Sequence, residues 1–332
     1  MFDAHTLAII FIGLMGLSVI LYAVLDGYDL GVGILLPLDN DEHNDRMIAS
    51  IGPFWDANET WLVLAVGLLL IAFPPAHSLI LRELYMPTAI LLISLILRGV
   101  AFDFRAKAPF GHKPTWNRVF KIGSLLAALS QGYMLGMYVM AFEKSGAAIA
   151  ISILSALGVA AAYSFIGACW LVMKTEGDLQ QRAINWAKRT IWLGVIGTIA
   201  VSVVNPWINP TVYERWLSWP NVLYLAPLPI LCMGLFAFSY AVLNKLPKPQ
   251  DRSCWVPFVS AVAIFLLCFF GLAVSFFPYI VPGQLTIWDA AAAPESLTII
   301  LWGAIVVVPI IICYTAFAYR VFWGKVDELK YY

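Results

Sequence analysis

Nine predominantly apolar stretches run through the chain, at about residues 7–35, 50–73, 78–104, 118–142, 147–173, 190–208, 221–243, 257–279 and 297–323. A helix needs about 20 residues to cross the hydrocarbon core of a bilayer. There the backbone satisfies its own polar groups only as a helix or a closed barrel. The pattern therefore predicts an all-α integral membrane protein with nine transmembrane helices. The sixth is the least regular, because Asn205-Pro206 and Asn209-Pro210 break its end. Helix count alone suggests two four-helix bundles, 7–142 and 147–279, followed by a peripheral helix at 297–323. All nine spans form one transmembrane domain.

Polar positions orient the spans. Arg46, the segments 105–121 and 174–189, the residues after the seventh span and the C-terminal segment together hold sixteen Lys and Arg. The alternate connections hold three: Arg82, Lys144 and Arg215. Basic residues stay on the cytoplasmic side, so the N-terminus is expected outside and the C-terminus in the cytoplasm. Residues 176–189 place Leu179, Ala183, Trp186 and Ala187 at helical spacing, which reads as a helix in the inner interface or as a polar loop. Trp207, Trp216 and Trp219 suit an outer aromatic belt. Asp39 to Asp45 reads as a solvated acidic loop.

Composition narrows the class further. Hydrophobic residues make up 61%, charged residues 12%, and mean hydropathy is +0.84, which together exclude a soluble globule. A net charge of zero gives no support to nucleic-acid binding. Cys169, Cys232, Cys254, Cys268 and Cys313 form no paired motif and read as small apolar residues. Met1-Phe2-Asp3 lacks the basic region of a signal peptide, so the first span is expected to be retained.

Ionisable residues inside spans are expensive and mark function by default. Asp26 and Asp29 stand in Asp26-Gly-Tyr-Asp-Leu-Gly-Val-Gly33, where Gly27 and Gly31 have the spacing that admits a close neighbouring helix. Asp56 and Glu59, three residues apart, share a face of the second span, with Asn58 and Thr60 beside them and Trp55 and Trp61 at interface depth. Arg98 lies about one and a half turns before Asp103 in the third span. Alternating topology brings all six charges to the cytoplasmic half. Arg98 then reads as counter-ion, with Asp103 beside it, and Asp29, Asp56, Glu59 and Asp26 as a proton path. Asp26 is the weaker candidate, since at the membrane edge a carboxylate can simply cap or hydrate. A purely structural charge network is the competing reading.

His5, His43, His77 and His112 all lie in loops or near a terminus, which leaves the chain poorly equipped to ligate haem. Met134, Met137 and Met140 recur at packing spacing. No metal site, phosphate loop or nucleophile motif is present.

The segments Asp26–Gly33, Phe54-Trp-Asp-Ala-Asn-Glu-Thr-Trp61 and Arg98-Gly-Val-Ala-Phe-Asp-Phe-Arg105 resemble subunit II of cytochrome bd-type quinol oxidases, a family that includes a cyanide-insensitive branch. The resemblance implies a heterodimeric oxidase of the bacterial inner membrane that reduces dioxygen to water with quinol. Haems b and d are expected in subunit I, the partner, and none in this chain. Asp29 and Asp56 match acids proposed to line a proton path in that family. A small third subunit and a structurally held quinone also fall within what the resemblance allows. From other classes, an ion-coupled secondary transporter or an assembly scaffold without a proton role would account for buried acids.

Overall fold

The computed structural model describes residues 3–107, 112–248 and 251–326. In chain order the elements are α1 (Ala4–Leu35), α2 (Asp41–Ile51), α3 (Trp55–Ala72), α4 (Pro74–Lys107), α5 (Lys113–Val139), α6 (Gly146–Lys174) and α7 (Gly177–Ile208). There follow α8 (Pro210–Leu217), α9 (Asn221–Leu225), α10 (Pro227–Leu243) and α11 (Val256–Phe276). A short antiparallel hairpin of β1 (Tyr279–Val281) and β2 (Leu285–Thr286), then α12 (Ile287–Ala290) and α13 (Pro294–Val321), close the order. Among the described residues nine helical segments are long and apolar enough to span a membrane: α1, α3, α4, α5, α6, α7, α9 with α10, α11 and α13. The chain is a multi-pass membrane protein with the predicted number of spans.

Three connections differ from their sequence reading. The acidic stretch after α1 is not a loop throughout, because Asn40 caps a helix that begins at Asp41. Its acids complement the positive end of that helix and also dock onto basic partners. Asp45 pairs with Arg105 and with Lys113 (3.6 Å), Asp39 pairs with Arg182 (3.3 Å), and Asn117 donates to Asp41 (3.2 Å). Residues 176–189 form no separate interface helix. Nothing interrupts the helical period before Ile191, so α7 starts at Gly177 and buries Leu179, Ala183, Ile184 and Ala187. Pro206 does not end α7, which runs to Ile208 before Pro210 opens α8; proline is well suited to a first helical turn. In the expected aromatic belt Trp207 and Trp219 are exposed, while Trp216 donates its indole N–H to Ser275 (2.8 Å).

The centre of the bundle is α1, which packs against α3, α5 and α6. Small residues let the backbones meet. A Cβ on Gly31 would lie 1.8 Å from the Tyr163 carbonyl oxygen, and one on Gly167 would lie 2.6 Å from the Gly31 carbonyl carbon. The α1–α6 crossing therefore depends on both glycines. α13 leaves most of its side chains exposed but is tied down at its C-terminal end. Lys174 donates to the carbonyls of Phe322 (2.6 Å) and Gly324 (3.1 Å), and Lys325 pairs with Asp251 (2.8 Å). Burial opposes ionisation of Asp251, yet hydrogen bonds from Lys325, Gln180 and Cys254 hold its carboxyl below the usual range.

Gly31→Ala and Gly167→Ala are expected to overpack this crossing at a cost of about 1–3 kcal/mol or more. Thermal denaturation of the purified protein should show both below wild type. Gly158→Ala, with open space around the added methyl, should melt unchanged.

Candidate functional site

A cluster of buried charge forms where α1, α3 and α4 meet. The apolar run of α1 continues beyond its acids through Leu30 and Val32, so Asp26 and Asp29 lie within the helix and not at its edge. The whole stretch from Asp26 to Gly33 is buried. Asp26, the weaker candidate of the sequence reading because a carboxylate at the membrane edge can cap or hydrate, has a side chain with no exposed surface.

Arg98 reaches this point from α4 and is itself completely buried. Its Nη1 donates to Asp26 Oδ1 at 2.5 Å and lies 3.3 Å from Glu59 Oε1. Its Nη2 stands 3.8 Å from Asp29 Oδ2. One guanidinium thus faces three carboxyls contributed by two other helices. Glu59 alone of the four retains exposure, at 25% of its side chain. Asp26 Oδ2, Asp29 Oδ1 and Arg98 Nε have no hydrogen-bond partner among the described residues.

A second set of polar groups holds Asp29. Asn58 donates to Asp29 Oδ2 (2.8 Å), to the Tyr28 hydroxyl (3.1 Å) and to the Leu25 carbonyl (3.2 Å). Tyr28 and Tyr319 share a hydrogen bond of 2.5 Å, and the Tyr319 hydroxyl donates to Asn58 Oδ1 (3.3 Å). Tyr28 stacks on Trp170, and Phe54 stacks on Tyr319. Through Tyr319 the last helix closes a network begun by the first.

Of the six predicted charges, Asp26, Asp29, Glu59 and Arg98 come together. Asp56 is exposed, although near enough to Glu59 for the two carboxyls to interact. Asp103 is exposed and makes no ion pair among the described residues, so its expected partnership with Arg98 is not formed. Trp61, expected at interface depth, is buried at 1% exposure. Tyr28, Tyr319 and the buried Tyr22 were missed as site residues. Tyr28 stands inside the acidic motif and was findable there, whereas nothing near Tyr319 in sequence points to a partner 291 positions away.

The family model for cytochrome bd terminal oxidase subunit II matches residues 7–322. The chain is 28% identical to the cytochrome bd-I ubiquinol oxidase subunit 2 of Escherichia coli, covering 99% of this chain and 97% of that one. It is 27% identical to the cytochrome bd ubiquinol oxidase subunit 2 of Bacillus subtilis, covering 97% and 95%. In fold it resembles a chain of the bd oxidase structure from Geobacillus thermodenitrificans, with a TM-score of 0.79, 18% identity, and coverage of 96% and 99%.

Removing one partner of a buried ion pair costs about 3–5 kcal/mol, because the remaining charge is uncompensated. Arg98→Met is therefore expected to lower the melting temperature and yield of the protein sharply. Asp103→Asn should leave both unchanged, and equal loss in the two variants would contradict the pairing described.

Proposed function

This chain belongs to the cytochrome bd terminal oxidase subunit II family, and from that premise we propose that its buried cluster takes up cytoplasmic protons for the reduction of dioxygen. The observation that carries the reading is the charge count at Arg98. One guanidinium compensates one carboxylate, while two more carboxyls stand within 4 Å of it in a buried site. An uncompensated carboxylate in such surroundings is very costly, and proton binding removes that cost. Asp29 and Glu59 are the groups so placed. Exposed Asp56 is the mouth, partly exposed Glu59 receives the proton, and Asp29 holds it deeper, while Asp26 anchors Arg98.

Direction comes from the distribution of basic residues. Arg105, Lys113 and Arg182 lie near the ends of α4, α5 and α7, and Lys325 follows α13; all four stand in stretches rich in Lys and Arg, which the positive-inside tendency assigns to the cytoplasm. Arg98 lies two helical turns before Arg105 on α4, so the cluster opens toward that same side.

The family implies haems in the complex, and the residues of this chain do not fit an axial ligand set. His5 and His112 are exposed, and His43 and His77 stand near the first turns of α2 and α4. Met137 packs in an apolar cluster, and the Met134 sulfur lies 3.5 Å from the Thr88 hydroxyl that donates to it. The haems b and d and the oxygen chemistry are accordingly assigned to the partner subunit I, with quinol as electron donor. This chain supplies support and protons. Protons drawn from the cytoplasm to form water would contribute to the proton-motive force. A secondary transporter would need a comparable site in the other half of the chain, and none of the acids recurs there.

In the assembled oxidase, Asp29→Asn and Glu59→Gln should slow quinol-driven oxygen consumption at least tenfold with haem content retained. Asp56→Asn should have a smaller effect, because bulk water can replace an exposed carboxylate. Wild-type turnover in an assembled Asp29→Asn complex would refute the proton role, and loss of haem would favour a purely structural network.

A further inference from the structure

The hydrogen bonds around Asn58 form a closed ring with a fixed sense. Asn58 donates to the Tyr28 hydroxyl (3.1 Å), and the Tyr319 hydroxyl donates to Asn58 Oδ1 (3.3 Å). The hydroxyl proton of Tyr319 is thereby used, so Tyr28 is the donor in the 2.5 Å bond between the two hydroxyls. With Oδ1 occupied by Tyr319, the amide nitrogen is the end turned to Asp29 Oδ2 (2.8 Å). A reversed amide would set its carbonyl oxygen, an acceptor, against the carboxyl. Tyr319 therefore decides whether Asn58 can serve Asp29.

Little on α13 itself fixes Tyr319. The buried side chains of that helix are Leu297, Leu301, Val308 and Ala318, and of these only the small Ala318 lies near Tyr319. The hold comes from α6. Lys174 Nζ donates to the carbonyls of Phe322 (2.6 Å) and Gly324 (3.1 Å), within one turn of Tyr319 and just beyond it. Carbonyls at a helix end have no intrahelical donor and need one from elsewhere. The same ammonium stands 5.6 Å from the centre of the Phe54 ring and 5.1 Å from that of Trp170. Phe54 stacks on Tyr319 (4.5 Å between ring centres), and Trp170 stacks on Tyr28 (4.2 Å). Lys174 thus touches the backbone that carries Tyr319 and both rings against which the two tyrosines lie.

We propose that Lys174 is a positioning residue for Asp29. By fixing the last turn of α13 and the two flanking rings, it keeps the Tyr319 hydroxyl on Asn58 and the Asn58 amide turned to the carboxyl. This rests on the proton-uptake reading and adds to it a residue from the second half of the chain. An ammonium does here what an apolar side chain cannot: it donates to the final carbonyls of a helix and is attracted to ring faces. Two further ties do not involve that ammonium. Lys325 Nζ donates to the Thr175 carbonyl (2.8 Å), and the Val326 N–H donates to the Lys174 carbonyl (2.8 Å). Removing the ammonium therefore loosens the turn at Tyr319 without releasing the segment that follows.

The test uses the intact oxidase with Lys174→Met, Tyr319→Phe and the two together, compared at wild-type haem content. Infrared difference spectra identify the tyrosine C–O stretching bands lost in Tyr319→Phe, and Lys174→Met is expected to shift those same bands. Quinol-driven kcat should fall several-fold in each single variant with KM for quinol unchanged. The double variant should be no slower than Tyr319→Phe alone. Lys174→Gln, which keeps an amide donor, perturbs the site less, and its loss should likewise vanish in the Tyr319→Phe background. Unmoved bands in Lys174→Met, or losses that multiply in the double variant, overturn the proposal. So does a wild-type rate in Lys174→Met when Asp29→Asn in the same complex is slow. A wild-type rate in Asp29→Asn overturns the proton-uptake reading instead, and the bands still decide whether Lys174 sets Tyr319.

Discussion

Arg98 is a fully buried guanidinium in a membrane protein, and the rest of the structure is arranged around its burial. Moving such a charge out of water costs several kcal/mol even after relaxation, and only close, well-placed anions offset it. Those anions come from α1 and α3, so the charge can be buried only when three helices are in register. Gly123 contributes on the other side: a Cβ there would stand 3.2 Å from the Arg98 backbone nitrogen, so α5 can approach α4 closely at this level. The close α1–α6 crossing at Gly31 in turn holds the acid-bearing segment of α1 within the bundle. Packing and electrostatics are one constraint here.

The excess of carboxyls over guanidinium then links architecture to function. A network built only to join helices would do best with matched charges. This one brings three acids to one base and leaves the third, Glu59, partly open on the side where Asp56 is exposed. Exposed carboxylates on a transmembrane helix are unfavourable against lipid. A protein partner or water at this face of α3 would relieve that cost, which fits a chain that works as one subunit of an oxidase. The aromatic and amide groups on the closed side, Asn58, Tyr28 and Tyr319, hold Asp29 in place from helices at both ends of the sequence.

The spans were legible because hydrocarbon imposes a length and a polarity that few other environments demand. The boundaries of α1, α6 and α11 fall within three residues of their apolar runs. At 176–189 the helical spacing of Leu179, Ala183 and Ala187 was legible, but not that the helix continues into the sixth span, because a charged stretch looks alike in a loop and in a helix extending beyond the bilayer; only packing on α6 decides. Depth was also legible: topology placed Asp26, Asp29, Glu59 and Arg98 together. Rotation about the helix axis was not. Asp103 and Asp56 share that depth yet face outward, and hydropathy in a membrane helix carries little signal for which side faces protein. For the same reason Asp26 looked peripheral although it is the closest partner of Arg98.

Proton entry through the carboxyls gathered at Arg98 is the step on which the proposed function turns. Its most direct test is the rate of proton uptake from the medium after an oxygen pulse, followed with a pH indicator on the cytoplasmic side of the oxidase reconstituted in oriented vesicles. Glu59→Gln is expected to slow uptake in step with oxygen reduction while haem reduction by quinol keeps its wild-type rate. Proton uptake at the wild-type rate in that variant would contradict it.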